Sequence, residues 1–210
     1  MTPDETRARI LEAADELFGR LGFDATTTRD IAARSGVNKA LIHYHFGTKD
    51  ELLEALLDGY YQRLGEALAP ALTGSGPPAE QLGAVLDAYA DFLAANLTFC
   101  RIVQREISSG HHVERLVQRT LPTLQLGVGW LARTVKRPPA GLEPEHLLLS
   151  VYGLVVTWFT HGEVLRRLTG EDPYSPRALA ARKRHVRTVA ALLLSALTPG
   201  AAKPKKKGAR

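Results

Sequence analysis

Cysteine is nearly missing from these 210 residues: Cys100 is the single one. That excludes an intrachain disulfide framework and suits a reducing compartment such as the cytoplasm. The first residues carry Asp4 and Glu5 and no apolar core, so no signal peptide is expected there. Long hydrophobic runs are missing too. The longest uncharged apolar stretch, residues 147–160, has 14 residues, against the roughly 20 a membrane span requires. It reads as a buried core helix, and no membrane partner is expected. No strand-type alternation of useful length and no internal repeat are found, which leaves an all-α fold. Catalytic signatures are equally scarce. There is no phosphate-cradling glycine loop and no nucleophile elbow. One cysteine among seven histidines has no discriminating spacing. His43 and His45 are two apart and point to different faces of a helix, which argues against a metal site. Neither an enzyme nor a cofactor is expected.

Acidic residues, by contrast, are missing in one informative place. The formal net charge of +5 is matched by the five basic residues of the tail, Lys203, Lys205, Lys206, Lys207 and Arg210, so the rest of the chain balances. A high pI is therefore no argument by itself, and the distribution of charge must carry the case. From residue 31 to residue 49 there is no carboxylate at all. Arg34, Lys39, His43, Tyr44, His45 and Lys49 gather there instead.

What is present is helical periodicity. Ile10, Ala14, Leu17, Phe18 and Leu21 form one apolar face, closed by Gly22. Thr27 followed by Asp30 predicts a capped second helix, which stops near Ser35 and Gly36. Asn38 caps a third, from about residue 39 to 45. Thr48 followed by Glu51 opens a long fourth, with Leu52, Leu53, Leu56, Leu57, Tyr60, Leu64 and Leu68 on its apolar side. Pro70 and the Gly/Ser/Pro-rich stretch at 73–78 form a loop. Further helices are expected at about 79–96, 98–109, 111–120, 122–137, 144–169 and 175–197, punctuated by prolines including Pro122. Residues 201–210 are low-complexity and basic, and are expected to be disordered. Such a tail either adds sequence-independent affinity for phosphates or only aids solubility. His111 and His112 read as exposed loop or helix-start histidines.

Residues 27–49 read as two short helices joined by a tight turn at Gly36, with a further helix bracing them. Val37, Ile42 and Phe46 are the positions that lock the third helix down. A short helix with polar and aromatic groups outward, and no carboxylate, suits insertion into the major groove of DNA. Hydroxyls and cations at flanking helix starts suit phosphate contacts. Tyr44 has a rival reading as a core aromatic, and Lys49 as a solvated first-turn residue.

Residues 6–60 resemble the N-terminal domain of the tetracycline-repressor-like (TetR) family of transcriptional regulators. The resemblance rests on Thr27-Thr28-Arg29-Asp30-Ile31-Ala32, Gly36-Val37-Asn38-Lys39, Tyr44-His45-Phe46 and Lys49-Asp50-Glu51-Leu52-Leu53, with Phe23 and the glycine before it. It implies a helix-turn-helix DNA-binding domain over residues 1–48. A helical ligand-binding and dimerisation domain would follow over 49–198, joined to the first by helix 49–70, with a basic tail at 199–210. It places Thr28, Arg29, Asn38, Lys39, Ala40, Leu41, His43, Tyr44, His45 and Lys49 against a double-stranded DNA operator. Leu41 stands where the family often has threonine, and His43 where it often has tyrosine, so the operator sequence is open. His43 could donate to a base or a phosphate.

In the C-terminal part, Tyr89, Phe92, Phe99, Trp130, Tyr152, Trp158 and Phe159 are either simple core or the border of an effector cavity such as the family encloses. Gly127, Gly129 and Gly153 leave room for a ligand or for close helix contact. Leu147, Leu148, Val151, Leu154, Val155 and Trp158, and Leu179, Val186, Val189, Leu193, Leu194 and Leu197, mark two apolar faces. In the family such a helix pair meets its twofold mate, which implies a homodimer through about 144–169 and 175–197. The resemblance thus implies a dimeric repressor released by a small apolar effector. The alternative is a ligand-independent or partner-controlled architectural DNA-binding protein, whose C-terminal part serves dimerisation alone.

Overall fold

A computed structural model describes residues 2–110, 113–136, 138 and 142–197. The expectations for His111, His112 and the tail at 199–210 fall outside them. Within the described residues the regular structure is ten helices and no strand. They are α1 (Pro3–Leu21), α2 (Thr28–Ser35), α3 (Lys39–Phe46), α4 (Lys49–Thr73), α5 (Pro78–Ala95), α6 (Leu97–Ser109), α7 (Val113–Thr134), α8 (Pro144–Thr160), α9 (Gly162–Thr169) and α10 (Pro176–Leu197).

The N-terminal helices start where local chemistry dictates. The Thr27 hydroxyl accepts from the Asp30 amide at 3.2 Å while Asp30 accepts from the Thr27 amide at 2.9 Å. Thr48 and Glu51 make the same reciprocal pair at 3.1 and 2.7 Å. Thr2 and Glu5 form a third box at the start of α1. Asn38 accepts from the Ala40 amide at 2.9 Å. Gly36 ends α2 at φ 66°, ψ 29°, a left-handed conformation that glycine adopts without the Cβ penalty. Helices of eight residues are marginal alone. Burial holds them: Ile10, Phe18, Ile31, Ile42, Leu52, Leu53 and Leu57 are almost completely enclosed, each a gain of about 1.5–3 kcal/mol before chain entropy is charged against it. Leu21, grouped with that face by periodicity, lies exposed instead.

Two prolines that read as helix ends lie inside helices. Pro70 is within α4 and Pro122 within α7. Each removes one backbone donor. Pro70 is exposed, so water can reach the backbone it leaves unpaired. Helix α7 is held along its length by Arg115 and Arg119, which pair with Asp50, Glu54 and Asp58 of α4, and by buried Leu116 and Leu131.

The single helix expected at 144–169 is two, bent by 77°. Gly162 packs so tightly on Tyr174 that a Cβ there would lie 2.0 Å from its hydroxyl. That hydroxyl donates to the Phe159 carbonyl at 3.1 Å, satisfying an acceptor the break releases. Trp158 donates to the Pro173 carbonyl at 3.0 Å.

Buried residues from α1 to α8 and from α10 form one continuous apolar cluster, with α5 packed between α4 and α10. A smaller cluster joins Leu131, Val135, Leu147, Leu194 and Leu197. Most of the apolar rows of α8 and α10 face this interior. Leu147, Val151, Val155, Val186, Leu194 and Leu197 are buried within the protomer. The outward faces carry Leu149, 58% exposed, and Leu192, 64% exposed, among small residues such as Ala181, Thr188 and Ala196. No single helix among the described residues is long and apolar enough to cross a membrane.

Candidate functional site: an exposed helix and an internal cavity

Helix α3 turns Ile42 and Phe46 inward, with Val37 packed beside them. Its other side is bare. Asn38, Lys39, Ala40, His43 and Tyr44 are exposed, and Leu41 and His45 half-exposed. Tyr44 is 80% exposed, which removes the core reading; its ring meets His45 edge-on at 5.1 Å. At the start of α2, Arg29 is exposed and Thr28 half-exposed.

The cations of this region divide into two kinds. Arg29 and Lys39 make no ion pair with a described carboxylate. Arg34 and Lys49 are engaged. Arg34 pairs with Glu16 of α1 at 2.5 Å and holds that carboxyl below its ordinary range. Lys49 donates to the carbonyls of Phe23 at 2.8 Å and Thr26 at 2.9 Å, and its ammonium lies 4.1 Å from the centre of the Phe23 ring. It clamps the start of α4 to the α1–α2 loop, so it is neither a solvated first-turn residue nor a free cation. Its carbonyl partners lie 26 and 23 residues away in the chain, beyond the reach of local pattern. Sequence inspection of residues 27–49 also misses Arg7 of α1, which covers the Phe46 ring at 5.1 Å.

His43 is oriented by its own helix end. Its Nδ1 lies 2.8 Å from the Gly47 carbonyl. A carbonyl can only accept, so Nδ1 carries the proton, and in the neutral ring Nε2 is an acceptor. This arrangement suits an exocyclic amino group of adenine or cytosine in the major groove; donation to a phosphate requires the charged ring. The carboxylates of Asp30 and Glu51, hydrogen-bonded by Thr27 and Thr48, are held below their ordinary range. The caps that aim α2 and α4 therefore persist well below neutral pH.

Behind this head lies a cavity of about 370 Å³. It is framed by α4 (Tyr61, Leu64, Leu68), α5 (Tyr89), α6 (Phe99, Cys100), α7 (Thr120, Trp130) and α8 (Tyr152). Of the aromatics singled out by sequence, Tyr89, Phe99, Trp130 and Tyr152 line it. Phe92, Trp158 and Phe159 do not. Phe92 is buried edge-on to Phe99, Trp158 is turned to Pro173 and Arg182, and Phe159 stacks on Tyr174 at 6.1 Å. Gly127 is a close-contact glycine: a Cβ there would meet Leu148 at 2.9 Å. Gly129 and Gly153 have no such neighbour. Tyr61 and Gln81, also in the lining, carry no periodic signal that sets them apart from core. Burial pushes the Cys100 thiol up to about 12, so it is an inert apolar group here.

Head and cavity share structure. Tyr60 and Tyr61, adjacent on α4, look opposite ways. The Tyr60 hydroxyl donates to Asp15 of α1 at 2.6 Å, while Tyr61 pairs with Thr120 of α7 at 2.7 Å. A second bridge runs from α6, where Arg105 donates to the Phe18 and Arg20 carbonyls at 3.4 and 3.1 Å and Thr98 packs on Gly19.

Residues 10–56 match the family described as bacterial regulatory proteins, tetR family. Across a longer span, the chain is 36% identical over 169 residues to the HTH-type transcriptional repressor Rv3405c of Mycobacterium tuberculosis, covering 80% of each chain. Over 58 residues, 28% of each chain, it is 47% identical to the HTH-type transcriptional regulator TtgR of Pseudomonas putida. A solved structure of the fatty acid degradation regulator FadR from Bacillus halodurans matches with a TM-score of 0.72 at 19% identity, over 91% of this chain and 96% of that one. At that identity the likeness is one of fold. An exposed, carboxylate-free helix on a three-helix head, an all-helical body behind it and a relative matched over four-fifths of its length lead to one assignment: the chain belongs to the tetR family of bacterial regulatory proteins, DNA-binding helix-turn-helix transcriptional regulators rather than enzymes.

Proposed function

We propose that this chain is a dimeric transcriptional repressor of the cytoplasm that binds a palindromic operator and is released by a small apolar effector. The observation that carries the reading is the double duty of α4, whose first turn is clamped to the DNA-binding head while Tyr61, Leu64 and Leu68 line the cavity. A ligand that displaces this helix moves the head with it. Thr28 and Arg29 at the start of α2, and Lys39, His43 and Tyr44 on α3, carry the DNA contacts, with Asn38, Ala40, Leu41 and His45 beside them. Lys49 acts through the fold, by holding the loop before α2.

One eight-residue helix touches few base pairs, and a twofold dimer reads two half-sites. The outward faces of α8 and α10, around Leu149 and Leu192, are the surfaces offered to the mate. A ligand whose affinity is higher for a dimer with wrongly spaced reading helices shifts the population toward that form and frees the operator. The ligand-independent alternative requires a C-terminal core packed without room, and the cavity favours the effector reading over it.

Selection of bound DNA from a random library tests the proposal. The expected product is an inverted repeat whose half-site centres are about one helical turn, roughly 10 base pairs, or a multiple of it apart. Recovery of asymmetric sites only, or of no enriched site, overturns the dimeric operator.

A further inference from the structure

The cavity lining has an unusual polar inventory. Among the described residues, no Lys, Arg, His, Asp or Glu lines the cavity. Gln81 has no donor to spare: its amide donates to the Leu72 and Gly74 carbonyls at 3.1 and 3.0 Å, and its oxygen accepts from Trp130 at 2.9 Å. What remains in the interior is hydroxyl, in two pairs. Tyr61 and Thr120 stand 2.7 Å apart. Tyr89 and Tyr152 lie ring on ring at 6.1 Å. Two hydroxyls that share one hydrogen bond own two protons and use one. The Tyr61–Thr120 pair therefore keeps one O–H proton without a protein acceptor, and the hydroxyls of Tyr89 and Tyr152, which donate to no other described residue, keep at least one more. Thr123, one turn along α7 from Thr120, adds a further hydroxyl to the lining.

A phenol is a better donor than acceptor, because its lone pairs are delocalised into the ring. Burial raises Tyr61, Tyr89 and Tyr152 above their ordinary values, so all three stay protonated at neutral pH. A carboxylate brought here meets donors but no cation, and its desolvation is left uncompensated. A pure hydrocarbon leaves both protons unsatisfied.

We propose that this cavity selects an uncharged, largely apolar molecule bearing a carbonyl-type oxygen, held by the spare hydroxyl protons of the Tyr61–Thr120 and Tyr89–Tyr152 pairs. The proposal deepens the effector reading and rests on it for the claim that binding matters to DNA. The exposed members of the lining, Gln104, Ile107 and Ser108, lie at the C-terminal end of α6, which is where a ligand would enter.

Matched probe sets test it on the full chain: a hydrocarbon, a ketone and a carboxylic acid on linear, single-ring and fused-ring skeletons, the linear set being tridecane, methyl undecyl ketone and lauric acid. Binding is followed by the fluorescence of Trp130 in the wall and by calorimetry. In at least one set the ketone is expected to bind about tenfold more tightly per hydrogen bond than its hydrocarbon, and more tightly than its acid. The paired, volume-conserving variants Tyr61→Phe with Thr120→Val, and Tyr89→Phe with Tyr152→Phe, are expected to abolish that preference while leaving hydrocarbon binding intact. Equal binding of ketone and hydrocarbon, tighter binding of the acid, no binding in any set, or a preference that survives both variants overturns the proposal. Operator affinity measured with each probe separates the two ideas. Selective ketone binding without operator release upholds this site and defeats the effector reading; release by hydrocarbon and ketone alike does the reverse.

Discussion

The head of the molecule and its body solve opposite problems with the same kind of helix. In the head, Ile10, Phe18, Ile31 and Ile42 fill the space between three helices, and the groups proposed to meet DNA, Arg29, Lys39, His43 and Tyr44, are solvent-exposed. In the body, the helices around Tyr61, Tyr89 and Tyr152 leave about 370 Å³ unfilled, and the groups proposed to meet a ligand line that space. A tightly packed head presents its contacts in fixed register, as a helix entering a groove requires. A body with room inside can adjust to a ligand. The two are joined by structure, because α4 and the α1–α6 seam belong to both.

The largest effect expected from this contrast is on stability. Ile42 is completely buried between α3 and its neighbours. Truncation by Ile42→Ala is expected to cost about 2–5 kcal/mol in denaturant-induced unfolding, because a packed site relaxes little around a cavity. A loss under about 1 kcal/mol would show that the head is not the close-packed half of the pair.

Much of the head was legible in the sequence for a physical reason: its determinants are local. The pairs Thr27/Asp30 and Thr48/Glu51, the cap at Asn38 and the turn at Gly36 act over three or four residues, and the helix bounds follow from them. Prolines misled, because Pro70 and Pro122 read as stops, while solvent exposure at Pro70 and ion pairs to α4 along α7 let the helices continue. The break near His161 was hidden, since its cause is the packing of Tyr174 on Gly162. Likewise Lys49 read as a cation for DNA and Arg34 as part of the same basic stretch, and only their distant partners, the carbonyls of Phe23 and Thr26 and the carboxylate of Glu16, reveal their structural duties. In the body, Tyr89, Phe99, Trp130 and Tyr152 stood out as aromatics. Nothing local distinguished them from Phe92 or Trp158, because which ring borders a void depends on helices far apart in the chain.

The next effect sharpens the contrast by separating binding from stability. Lys39→Ala and Tyr44→Ala remove exposed groups, so each is expected to weaken operator binding by roughly 1–3 kcal/mol if it touches a base edge or phosphate. The melting temperature should stay within a degree or two of the parent, since exposed substitutions usually move stability by less than about 0.5 kcal/mol. Parallel binding and melting measurements check both halves. A large fall in melting temperature for Tyr44→Ala would mean that its ring supports the fold, and unchanged binding for both variants would move the reading surface elsewhere.

The smallest effect is the one that discriminates most between the regions, because it asks what happens when side chains are enlarged. Ala14 sits fully buried in the head, on the face of α1 that packs toward the other two helices. Val103 sits on α6 in the cavity wall. In a filled core, added methylenes force off-rotamer side chains and backbone shifts, so Ala14→Leu is expected to cost about 1–3 kcal/mol. In the wall, Val103→Phe adds more atoms, yet they have empty space to enter, and the apolar area they bury offsets the small strain of seating them. Its stability is expected to stay within about 1 kcal/mol of the parent, in either direction. The same variant should lose affinity for any molecule that needs the volume now taken, while its affinity for operator DNA in the absence of ligand is unchanged. Equal destabilisation by the two enlargements would mean that the wall around Val103 is as closely packed as the head, and the division into a rigid reader and a yielding body would fail at its inner half.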